Sequence, residues 1–144
     1  MTKKIQAISL FLLLLIAIGF GLATPAFNPV DKDQPIRPLL RQDQALKQTY
    51  SAMMKDELSP QERSEFLTHL SASYLDLFEQ TNTIKENGVE HPLLDPLATY
   101  FVDLSKTFTL MATAFAETDS VKLAQANEFF YKLDQVFLDL QKQE

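Results

Sequence analysis

The chain has 144 residues, a formal charge of −6, three glycines and no cysteine or tryptophan. This excludes a disulfide framework, a thiolate metal site, a lipid-bearing cysteine and a glycine-rich phosphate loop. No cluster of Lys and Arg stands out in the acidic sequence, so neither nucleic acid nor an anionic lipid surface is an expected partner, and the charge serves solubility.

Lys3 and Lys4 precede an apolar run from Ile5 to Ala23, broken only by Gln6 and Ser9. A cleaved signal peptide has an apolar stretch of about 7–15 residues, and a membrane-spanning helix needs about 20. Residues 1–23 lie between these lengths and are read either as a signal peptide or as an N-terminal membrane anchor. Small residues at Gly21, Ala23 and Ala26 offer cleavage points after Ala23 or Ala26. The leading lysines keep the N-terminus in the cytoplasm. The remainder is therefore expected to be extracytoplasmic, either secreted after cleavage or held by one membrane helix, N-in and C-out.

Residues 24–38 contain Pro25, Pro29, Pro35 and Pro38. Proline fixes φ and removes an amide donor, so this stretch is expected to be an extended tether.

From residue 39 to 144 the apolar positions recur at helical spacing. The first segment carries Leu39, Leu40, Leu46, Tyr50, Met53 and Met54, with a polar face of Arg41, Gln42, Asp43, Lys47 and Gln48. Ser59-Pro60-Gln61-Glu62 then spells a capping box with proline at the first helical position. The second segment runs through Phe66, Leu70, Tyr74, Leu77 and Ile84 to Asn87-Gly88, a C-terminal stop. The third carries Leu97, Phe101, Leu104, Phe108, Met111 and Phe115; its Thr107–Met111 stretch favours strand locally, but the long periodicity outweighs it. The fourth begins near Thr118-Asp119-Ser120 and carries Leu123, Ala126, Phe130, Leu133, Phe137 and Leu140. These segments predict an all-α fold, a small antiparallel up-down bundle behind an N-terminal hydrophobic helix. It has either four helices or three plus a loosely docked, more polar first helix.

Chemistry is nearly silent. There is no Glu-x-x-His pair, nucleophile elbow, H-E-x-x-H or P-loop. His91 sits among Glu86, Glu90 and Asp95 in a polar inter-helix loop, and His69 falls at the edge of a buried stripe. No catalytic, cofactor-binding or metal-ligating residue is expected. The abundant phenylalanines first imply core. Tyr100, Val102, Phe108, Leu110, Phe129 and Val136 are the candidates for a partner or ligand surface, Phe108 as one of the abundant phenylalanines and the other five because they widen the apolar stripes beyond one face. The expected function is a non-enzymatic exported or membrane-tethered module binding a protein partner in the cell envelope, with membrane contact through residues 5–23 if uncleaved. The alternative is a carrier or sensor of a small apolar ligand held between aromatic-rich helices.

Overall fold

The computed structural model of the chain describes residues 33–142. The apolar N-terminal segment and most of the proline stretch lie outside the described residues. Four helices follow in order: α1 (Arg37–Lys55), α2 (Pro60–Glu86), α3 (Leu94–Glu117) and α4 (Ser120–Lys142). There is no strand among the described residues, so Thr107–Met111 follows the periodicity into α3. No described helix is long and apolar enough to cross a membrane.

Local chemistry sets the helix ends. Ser59 Oγ accepts from Glu62 N–H at 3.1 Å, and Glu62 returns a carboxylate oxygen to Ser59 N–H at 2.8 Å. Two of the orphan donors at the start of α2 are thereby satisfied. Gly88 adopts φ +82° and closes the C-terminus of α2, its N–H donating to Lys85 C=O. Thr118 ends α3 in the left-handed region at φ 54°. Asp119 Oδ1 then accepts from the backbone N–H of Val121 and Lys122, opening α4.

Consecutive helices run in opposite directions. Between α1 and α2, Gln42 pairs with Gln80 through reciprocal amide bonds of 3.0 and 3.2 Å. Between α2 and α3, Ser71 meets Ser105 and Thr109, while Arg63 lies over Phe115 and Lys85 pairs with Asp95. Between α3 and α4, Tyr100 lies against Phe137 and Phe108 against Phe130. The arrangement is compatible with a helical bundle. Its core joins Leu39 and Leu46 of α1, Phe66, Leu70 and Tyr74 of α2, and Leu97, Phe101, Leu104 and Phe108 of α3.

One expectation changes. Ile36 is fully buried, and Arg37 and Pro38 open α1, so the tether stops being extended before Pro38. Proline is tolerated in the first turn because its missing N–H has no partner there in any helix. Burial differs from helix to helix. α1 buries six residues, α2 nine and α3 twelve, whereas α4 buries only Ala126 and Phe137.

Candidate functional site

The polar face assigned to α1 is partly interior. Leu39, Leu46 and Met53 recur every seven residues, and Gln42, Asp43 and Thr49 fill the alternate positions of that stripe. All six are buried, because α1 packs against α2 on one side and meets α4 on the other. The signal was legible as a heptad with polar groups where apolar ones are usual.

Asp43 is the centre of this polar interior at 2% exposure. A buried carboxylate is tolerable only when paired and hydrogen-bonded. Asp43 Oδ1 accepts from the Tyr74 hydroxyl at 2.8 Å, and its Oδ2 lies 3.3 Å from Lys47 Nζ. Lys47 also reaches Asp134 of α4 at 3.1 Å. One lysine thus ties α1 to α4 through two carboxylates. Burial pushes the Asp43 carboxyl above its usual range, and Lys47 and Tyr74 partly offset this. Burial, followed by the charge of Asp43, holds the Tyr74 hydroxyl well above its ordinary value, so it stays a donor.

Tyr100 stands beside this network. Its ring stacks on Phe137 at 4.6 Å with 13° between planes, and Lys47 Nζ lies 5.2 Å from its centroid and 4.6 Å from that of Phe137. These are ordinary cation–π distances. The Tyr100 hydroxyl is buried without a hydrogen-bond partner, and burial pushes its pKa far up.

Outside this network a cleft of about 400 Å³ runs between α1 and the C-terminal half of α4, lined by Arg37, Leu40, Arg41, Asp43, Gln44, Lys47, Phe137, Leu138 and Gln141. That volume lies within the ordinary range for small-molecule sites. A second cavity of about 440 Å³ surrounds the His91 loop. Three of its polar side chains, Lys85, His91 and Asp95, are occupied. Lys85 pairs with Asp95, and His91 Nδ1 accepts from Leu93 N–H at 3.1 Å. The neutral ring then carries its proton on Nε2, which donates to Asp33 at 3.0 Å. His91 therefore pins the incoming chain to the α2–α3 loop. No group of three His, Cys, Asp or Glu that could hold a metal occurs among the described residues. His69 is exposed.

The six surface candidates divide. Tyr100 and Phe108 are 3% and 1% exposed and belong to the core, because α3 is covered on three sides. Val102 and Leu110 are half-buried. Phe129 at 49% and Val136 at 53% are open. Steps of four, three and four place Phe129, Leu133, Val136 and Leu140 on one stripe of α4, with Leu133 and Leu140 half-buried. The other rings fill the interior with one another: Tyr50, Tyr74 and Phe130 all meet Phe108, at 5.3–5.6 Å between centroids.

Comparison with family models, with curated proteins and with solved structures finds no match to this chain.

Proposed function

We propose that the chain is a non-enzymatic extracytoplasmic module, an antiparallel up-down four-helix bundle carried behind an apolar N-terminal segment. Its α4 face binds an amphipathic helix of a protein partner in the cell envelope. The N-terminal segment is the export signal or anchor that places the bundle there. What carries the reading is the uncovered side of α4. The Phe129–Leu140 stripe has the three-and-four spacing that packs against another helix. Charged residues flank it, including the Glu128–Lys132 pair at 2.8 Å. Among the described residues the remaining exposed large apolar side chains are Val121, Tyr131 and Leu138, also on α4, and Leu75 on α2. A contiguous apolar stripe rimmed by charged residues is a mark of an interaction surface.

The test is a photo-crosslinking amino acid at position 129 or 136 of the full chain in its native cells, with position 72 on exposed α2 as control. The reading expects one envelope protein, identified by mass spectrometry, from both α4 positions and not from the control, with the adduct lost on Leu133→Asp. No adduct, or the same adducts from position 72, would overturn it.

The alternative, an apolar ligand held between the aromatic-rich helices, has less support because those rings are packed against each other.

A further inference from the structure

We propose that the chain dimerises by exchanging α4: α3 and α4 straighten into one helix at Thr118, and each α4 settles on the core made by α1, α2 and α3 of a second copy. The three joints between helices differ in what they forbid. The first ends in Ser59-Pro60, and the second holds Gly88 and Pro92. Proline denies a helix its i→i−4 bond and turns the preceding residue away from the helical region, so neither joint can close into continuous helix. The third joint is only Thr118 and Asp119, without glycine or proline.

Thr118 also stores the strain that straightening would release. It stands at φ 54° and ψ 42°, and among the described residues no other non-glycine residue has a positive φ. A β-branched side chain is poorly suited to that region. Short, strained hinges favour exchange of the element they hold. The bonds at the joint have helical replacements. Thr118 N–H already reaches Ala114 C=O, the partner it would have in an unbroken helix. The Val121 and Lys122 N–H groups, now held by Asp119 Oδ1, would pass to the Glu117 and Thr118 carbonyls. α3 ends on Glu117 with no basic residue in its last turn, a poor match to the negative end of the helix dipole, and straightening removes that end.

The phase of the sequence fits as well. Leu104, Phe115, Ala126 and Phe137 recur every eleven residues, close to three helical turns. In an unbroken helix the two residues that α4 buries, Ala126 and Phe137, therefore fall in line with the core row of α3. Both halves then turn their apolar sides to one flank, as a two-fold pair of antiparallel long helices needs in order to cover two cores. α4 gives up little on leaving, because only those two of its residues are buried. Its contacts are regained on the second copy, including Tyr100 on Phe137 and Lys47 on Asp134. The inference is independent of the partner-binding stripe, since Phe129 and Val136 stay outward in both forms.

The experiment uses two forms of the full chain, Lys47→Gln and Asp134→Asn, co-expressed in the protein's own cells. Neither form alone holds both ends of the Lys47–Asp134 pair. A carbodiimide joins a paired lysine and carboxylate without a spacer, and mapped peptides report the links. Wild type fixes the yield of the Lys47–Asp134 link, and the Lys85–Asp95 link between α2 and α3 marks folded chains in every sample. Exchange predicts a Lys47–Asp134 link that joins the two forms into one product. Thr118→Gly in both forms should lower that product about tenfold or more, because it relaxes the closed joint and weakens the long helix at two hinges. Thr118→Ala, which keeps the strain and favours helix, should raise it. The proposal is overturned if co-expressed forms that give the Lys85–Asp95 link give no Lys47–Asp134 link, if copies join only through other residues, or if Thr118→Gly leaves the yield unchanged.

Discussion

The hydroxyl of Tyr74 and the carboxylate of Asp43 meet at 2.8 Å in the interior, joining α2 to α1 where both side chains are almost wholly out of water. Removing one partner leaves the other buried with part of its bonding capacity unmet, which costs about 1–3 kcal/mol. Tyr74→Phe should therefore lower the unfolding free energy by an amount in that range, read as a lower urea midpoint with an unchanged slope. An unaltered midpoint would show that Asp43 finds another donor.

Tyr100 offers the converse. Its hydroxyl is buried and bonds to nothing, so Tyr100→Phe removes a desolvated group and keeps the ring on Phe137. We expect stability unchanged or raised by up to about 1 kcal/mol. A thermal melt beside that of Tyr74→Phe separates the two tyrosines: same chemistry deleted, opposite sign.

Asp43 gives a pH dependence of definite direction. Its folded carboxyl takes up a proton more readily than the unfolded one, since burial raises its pKa. The native state then binds more protons in the window from the ordinary aspartate range up to the raised value. Stability contributed by Asp43 is fully present below the ordinary range and is lost as pH rises through the raised pKa. Asp43→Asn can keep the bond from Tyr74 and cannot titrate. The melting temperature of the wild type minus that of Asp43→Asn should therefore grow as pH is lowered from 7 towards 4. A difference that shrinks would reverse the sign argued here.

The caps can be tested without touching the core. Ser59→Ala should cost about 1 kcal/mol by breaking the capping box. Thr118 is a β-branched residue held at φ 54°, a conformation that disfavours L side chains by about 1–2 kcal/mol. Thr118→Gly should therefore stabilise, by about 0.5–1 kcal/mol after the added chain entropy of glycine is subtracted. Chemical denaturation reads both.

Ile36 tests where the folded unit begins. It is fully buried just ahead of α1, so Ile36→Ala should cost about 2–5 kcal/mol. A fragment starting at residue 39 should melt well below one starting at residue 33, because it loses Ile36 and the Asp33–His91 bond together.

The helices were legible because three-and-four spacing reports which side of a helix is dry, and because Ser59-Pro60-Gln61-Glu62 and Asn87-Gly88 carry their own stop and start chemistry. How many neighbours cover each helix was not. The apolar pattern of α4 is as regular as that of α2, yet α4 buries two residues, since periodicity records a preference and not the presence of a partner. The burial of Tyr100 was missed for the complementary reason: α3 is wrapped so widely that side chains off its main stripe are also interior. Asp43 and Lys47 read as solvated because charged residues usually are. Contact with Tyr74 of α2 and Asp134 of α4 makes them part of one network. The gathering of Arg37 and Arg41 at a cleft likewise depends on where the end of α4 comes to lie.

Between α2 and α3, Ser71 donates to the Ser105 carbonyl at 2.7 Å and stands within bonding reach of the hydroxyls of Ser105 and Thr109. Apolar packing is not directional; a hydroxyl trio is, because sliding the helices would pull Ser71 from the Ser105 carbonyl it donates to. These small oxygens act as a vernier for the longest helix pair. Replacing all three with alanine should leave the two helices in contact but less sharply aligned, with Arg63–Phe115 and Lys85–Asp95 still marking the two ends.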